Sequence, residues 1–299
     1  FGMVAQSYSR ENSTPNQYLY NGKELQDELN LGWYDYIARQ YDPAIGRFMS
    51  IDPAADNYHS WTPYHYVMNN PIIFVDPTGA FTELFDENGN KIGEDRNGND
   101  GNVSIITNKD DVKRIKGNTK DGQLASAEDV ASGIQTTKTV LTEALDVLSR
   151  TEANGGLREE VSLVTGDGQI VRGETGPEPK IENIGGTLVQ TAETKVPALP
   201  EGASASEATT IHSHPTKIVE QDGQAFPQSA STPSGADRST FKNYGTNIIV
   251  GPIGVATSVS RDASGNLVTT PSRSNGAVIY QGGKSPAEIR DRAVRKIIK

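Results

Sequence analysis

The 299-residue chain has no cysteine. Disulfides, thiolate metal sites and a cysteine nucleophile are therefore excluded, and the absence suits a protein that crosses compartments of different redox state. Positive charge is also scarce, with 28 Lys and Arg against 38 Asp and Glu and a net charge of −10. Neutralising phosphates takes clustered cations, so nucleic acid is not expected as a partner. The one basic cluster, RDRAVRKIIK at the C-terminus, reads as a solvated helix face. No apolar run is long enough to span a membrane. Hydrophobic residues make up 34% of the chain and mean hydropathy is −0.54. Both are low for one compact globule, and the length accommodates two domains joined by polar segments. The chain begins at Phe1, as expected of the C-terminal piece of something longer, so the lack of a signal peptide says nothing about secretion.

Histidine is rare, and two of the four in the chain, His212 and His214, sit two residues apart. They follow a β-branched lead-in, Thr209-Thr210-Ile211, which favours a strand. Residues i and i+2 of a strand share a face, so both imidazoles can reach one ion. Pro215 cannot donate to a ladder and should end the strand. Asp237, in the turn context Pro233-Ser234-Gly235, can supply an oxygen ligand. Two histidines and a carboxylate leave the fourth tetrahedral position open, the arrangement of catalytic zinc. The bland alternative is a pair of half-exposed polar side chains on a strand, since HxH alone specifies little.

His212-Ser213-His214-Pro215 followed by Ser234-Gly235-Ala236-Asp237 resembles the HxHP…SxxD signature of the JAMM (JAB/MPN) metallopeptidases. The resemblance implies a zinc-dependent hydrolase of amide or isopeptide bonds. It implies that His212, His214 and Asp237 hold Zn²⁺, that Ser234 stabilises the tetrahedral intermediate, and that an upstream glutamate is the general base. The family pattern sets that glutamate at the start of a strand with glycine seven residues on. Glu159 with Gly166 fits, and Glu160 is the adjacent candidate. Strand alternation lets only one of the two face the zinc. Nineteen residues separate His214 from Ser234, more than the family usually has, so 216–233 must loop out and return.

Aromatic residues are distributed very unevenly, fifteen of twenty falling within the first 81 positions. Gln17–Lys23 alternates as a strand ending in the turn dipeptide Asn21-Gly22, and Trp33–Tyr41 alternates again. The run from YLYNGKELQDELNLGWYDYIARQYDPAIGRFMSIDP to YHYVMNNPIIFVDPTG resembles the RHS repeat-associated core that ends the shell of RHS/YD-repeat proteins. In such proteins, the resemblance implies, a β-cage formed by the N-terminal part of the same polypeptide encloses a variable C-terminal toxin. Some members cut themselves near the final DPxG, using aspartates of two Asp-Pro motifs. The candidates are Asp52 and Asp76, and Asp-Pro as a simple turn initiator is the competing reading.

The organisation expected is a β-rich RHS core end over 1–79, a Gly/Asn/Asp-rich linker over 80–125, and a JAMM-like α/β domain over 126–299 whose mixed sheet is flanked by helices. Within the last, Ser126 should cap a helix, a stronger helix should cover 135–150 and stop at Asn154-Gly155-Gly156, and 157–165 should be a strand. Ser285, Pro286 and Glu288 read as the start of a terminal helix. The resemblances imply an effector toxin delivered into a target cell by a secretion system. Its partners would be a protein substrate there and a cognate immunity protein in the producer. The competing class is a non-catalytic binding module or cage-plug segment with a degenerate metal site. A nuclease is disfavoured by the acidic balance.

Overall fold

The computed structural model describes residues 1–3, 16–27, 29, 31–36, 39–51, 62–69, 71, 82–95, 102–121, 123–184, 186–192 and 194–299. They form a mixed α+β structure in which the chain divides into two compact units. One comprises Phe1–Leu84, Gly93–Asn102 and Ile115–Asp129, and the other Phe85–Ile92, Val103–Arg114 and Val130–Lys299.

In the first unit, β1 (Glu24–Gln26), β2 (Trp33–Asp35), β3 (Gln40–Asp42) and β4 (Arg47–Phe48) form an antiparallel meander. Its register sets Leu25 opposite Tyr34, Tyr34 opposite Tyr41, and Tyr41 opposite Phe48. One face therefore carries an unbroken apolar row, as cross-strand pairing of aromatics favours. Tyr66 closes it, its ring 4.3 Å from that of Tyr41. Buried hydroxyls need partners, and here Tyr36 and Tyr66 meet at 2.9 Å while Asn21 Nδ2 donates to both. Asn21 and Gly22 have φ of 53° and 68°. The turn read from that dipeptide is present, but as a 3₁₀ turn over Tyr20–Gly22 where a strand was expected. The Trp33–Tyr41 alternation is likewise split into β2 and β3.

Next come β5 (Thr82–Asp86), β6 (Lys91–Asp95), β7 (Asn102–Ile106), α1 (Lys109–Lys120), α2 (Ala127–Val130) and β8 (Ile134–Thr137). The segment read as a linker with a small hairpin or two holds three strands, with β7 over the expected Val103–Ile106, and a twelve-residue helix that was not expected. Asn108 Oδ1 accepts from the backbone of Asp110 and Asp111 at the helix start, where their carboxylates also suit the dipole. Ser126 and Asp129 form the expected capping box of α2.

The second unit is built on a six-stranded mixed sheet. Its strands are β9 (Val161–Val164), β10 (Ile170–Arg172), β13 (Thr209–Ser213), β16 (Thr246–Pro252), β19 (Asn275–Gln281) and β20 (Ala287–Arg290), in the order β10-β9-β13-β16-β19-β20. Only the central pair, β13 with β16, is parallel. The remaining strands are three hairpins, β11 (Lys180–Ile184) with β12 (Thr187–Thr191), β14 (Val219–Gln221) with β15 (Gln224–Phe226), and β17 (Ser258–Arg261) with β18 (Leu267–Thr270).

Helix α3 (Lys138–Ala153) lays Val140, Leu141, Ala144, Val147 and Leu148 on one sheet face. These meet Ile211, Ile248, Val250 and Ile279. Thr137 Oγ1 caps α3 by accepting from Val140 N, and Asn154, Gly155 and Gly156 end it, the glycines at φ of 104° and 81°. The helix starts three residues later than expected because Ile134–Thr137 is taken by β8. Between β15 and β16 lies α4 (Gly235–Phe241), and α5 (Asp291–Ile297) ends the chain. The expected helix start at Ser285 is corrected to a strand. Ala287 and Ile289 are buried and alternate with exposed Glu288 and Arg290, so period-two burial prevails over the cap signature. No helix among the described residues is long and apolar enough to cross a membrane.

Candidate metal centre

Alternation along β13 sorts its side chains between two environments. Ile211 packs into the α3 core, and Ser213 Oγ accepts from Thr151 Oγ1 of α3 at 2.6 Å. Thr210, His212 and His214 therefore project to the opposite face. There Ile249, which pairs with His212 in register, forms a separate small cluster with Val278 and Ala230. The histidines also stand at the carboxyl end of the parallel pair, where open α/β sheets place ligands.

Asp237 reaches them from the first turn of α4. Ser234 is the N-cap: its Oγ accepts from Asp237 N at 3.1 Å, and its own N–H donates to Asp237 Oδ2 at 2.6 Å. This capping box fixes the carboxylate. Asp237 Oδ1 lies 3.1 Å from His212 Nε2, and Oδ2 lies 3.3 Å from His214 Nε2. The three ligating atoms lie within 4.8 Å of one another, and both histidines are buried.

Several observations bear on whether this group fits a metal. His214 Nδ1 lies 2.8 Å from the carbonyl of Ser229. A carbonyl can only accept, so Nδ1 carries a proton, and Nε2 is the nitrogen left to ligate. Such a bond from the distal ring nitrogen is the usual support for a metal-binding histidine. His212 Nε2 is buried and, despite its closeness to Asp237, makes no hydrogen bond of acceptable angle. Burial pushes the His212 imidazole below its ordinary pKa, against the pull of Asp237, and so favours the neutral ring. Burial alone would raise the Asp237 carboxyl, but the two histidine rings beside it outweigh that and hold the group well below the usual range. Two ring nitrogens and a carboxylate lie within 4.8 Å of one another. The three residues could hold a metal ion.

The two glutamates part company. Antiparallel pairing sets His212 opposite Val161, and Ser213 N donates to Glu160 O at 2.9 Å, continuing the ladder. Strand pairing ends at Val161, and two more residues in the same register would set Glu159 opposite His214. Glu160 points to α3, where Arg150 (2.6 Å), Asn154 (2.8 Å) and Thr175 (2.7 Å) all donate to its carboxylate. Neighbouring Glu143, also buried, accepts from Ser162 and from Arg172 through both oxygens. Asp52 and Asp76 lie outside the described residues.

The long insert is a hairpin, turned at Asp222-Gly223 with φ of 53° and 75°. It then returns to the sheet. Ala230 N donates to Pro252 O (2.9 Å), Tyr280 Oη to Ala230 O (2.9 Å) and Ser229 Oγ to Gly254 O (2.7 Å). Its distal end thus delivers the Ser229 carbonyl that orients His214. Sequence reasoning missed that contribution, because a backbone acceptor has no residue signature.

Comparison with known proteins adds one partial likeness. A stretch of 79 residues, 26% of this chain, is 38% identical to part of Salivary gland surface protein 1 of Aedes aegypti. The stretch spans about 2% of that protein's length. No family model matches the chain, and no solved structure matches it.

Proposed function

We propose that His212, His214 and Asp237 hold a zinc ion and that the second unit is a hydrolase of amide or isopeptide bonds of the JAMM type. The observation carrying this reading is the buried, unsatisfied His212 Nε2 converging with Asp237 on the same point as His214 Nε2. The ion's contribution is Lewis acidity, acidifying a water towards pKa ~7 and polarising the scissile carbonyl. Everything else falls to the chain. The Ser229 carbonyl holds His214 in the tautomer whose Nε2 can ligate. Glu159, the glutamate not engaged by Arg150, takes a proton from the attacking water and delivers it to the departing amine nitrogen. The water oxygen ends on the acyl carbon, and the C–N bond breaks. Ser234 Oγ accepts from Asp237 N and keeps its own proton to donate to the developing oxyanion.

The biological setting we propose rests on the resemblance of the N-terminal aromatic block to an RHS core. In this reading the chain is the C-terminal end of an RHS effector, its toxin enclosed by a cage from the same polypeptide. A secretion system delivers it into a target cell, where it acts on a protein, and a cognate immunity protein protects the producer. The test is expression of the full chain in a bacterial host beside Asp237→Ala and Glu159→Gln. Growth arrest by the parent and growth with both folded variants is expected. Arrest by a folded Asp237→Ala chain would sink the proposal.

A further inference from the structure

A cavity of about 580 Å³ opens beside the residues that follow His214. Thr216 and Lys217, just past the end of β13, line it together with Pro252 at the end of β16 and with Arg261 and Arg273 from the β17–β18 region. In a chain of net charge −10, none of the residues lining this cavity is an aspartate or glutamate.

The three cations are held differently. Arg261 is already paired with Glu220. Lys217 is exposed and makes no ion pair among the described residues. Arg273 is half-buried and fixed by neutral groups only. Its Nη1 donates to the carbonyls of Gln228 (2.7 Å) and Gly254 (3.2 Å), and its Nε to Thr269 (3.4 Å). Desolvation holds its guanidinium below the ordinary pKa, with no carboxylate to offset the cost. A partly desolvated guanidinium with no counter-charge among the described residues, and a lysine unpaired among them lining the same cavity, is suited to receive a carboxylate.

We propose that this cavity binds a carboxylate of the peptide substrate, an acidic side chain or a free C-terminus. It would thereby direct the hydrolase to acidic segments beside the scissile bond. The proposal rests on the hydrolase reading for its role, but binding can be measured without catalysis.

The probes are two fluorescent decapeptides, one of alternating Glu and Ala and one of alternating Lys and Ala, each amidated. A third has the Lys/Ala sequence with a free C-terminal carboxylate. Each is titrated by anisotropy into the full chain at low salt. Expected is binding of the glutamate peptide or the free-carboxylate peptide, but not of the amidated lysine peptide. The first result assigns the side chain and the second the C-terminus. Lys217→Glu and Arg273→Met, checked for fold by circular dichroism, should each weaken binding about tenfold. His212→Ala should leave it unchanged, which keeps failure of the metal reading distinct from failure of this one. Equal binding of all three peptides, no binding of any, or unchanged affinity in both Lys217→Glu and Arg273→Met overturns the proposal.

Discussion

Replacing Glu160 by glutamine destabilises the second unit by about 3 kcal/mol. The carboxylate is buried and receives only donors, with Arg150 on Oε2 and Asn154 and Thr175 on Oε1. Whichever way the amide is turned, its NH₂ meets a donor and one buried N–H loses its acceptor. Breaking a buried ion pair from one side costs roughly 3–5 kcal/mol. The lower end applies because Arg150 is 24% exposed and keeps Asp146 at 2.8 Å. At roughly 2–4 °C per kcal/mol for a unit of this size, the melting temperature should fall by about 6–12 °C in calorimetry of the full chain. Metal uptake by the folded variant should be unchanged, since Glu160 faces α3 and not the histidines. A fall below about 2 °C would refute the reasoning, and so would loss of metal from the folded protein.

Leu141→Ala, at a fully buried position of α3, should cost about 2–5 kcal/mol by denaturant unfolding. Thr137→Ala removes the side-chain cap of α3 and should cost about 1 kcal/mol in the same measurement. Ser234→Ala removes the hydroxyl half of the capping box that positions Asp237. Zinc affinity by competition titration should then drop about tenfold or more, with little change in global stability. Tyr280 has its pKa pushed up from 10.0 to about 12, mainly by burial. Its folded state holds the phenol proton more tightly than the unfolded state does, so this contribution is complete below pH 10 and fades as pH rises towards 12. Tyr280→Phe should flatten that alkaline loss in a series of melts.

Much of the second unit could be read from local pattern. The apolar stripe of α3 and the β-branched approach to His212 are periodic over enough residues to reveal type and face. The candidate ligand set was legible because His, His and Asp are residue types that zinc sites use. Their convergence was not, because it depends on a cap at Ser234 and a hairpin that returns over nineteen residues. Helix α1 was missed for a clear reason. Val112 and Ile115 are its only large apolar residues, and Gly117-Asn118 reads as a breaker. A choice between Glu159 and Glu160 turns on how β9 sits against β13, a non-local quantity that one strand's sequence does not contain. The terminal segment was misread because Ser285-Pro286 with Glu288 mimics a helix start while Ala287 and Ile289 are committed to the sheet edge.

The most direct test of the central claim is the metal content of the purified full chain beside its His212→Ala variant, by elemental mass spectrometry after equilibration with zinc. About one zinc per chain, lost in a variant that still folds, is the predicted result. A folded parent chain that takes up no zinc would contradict the account.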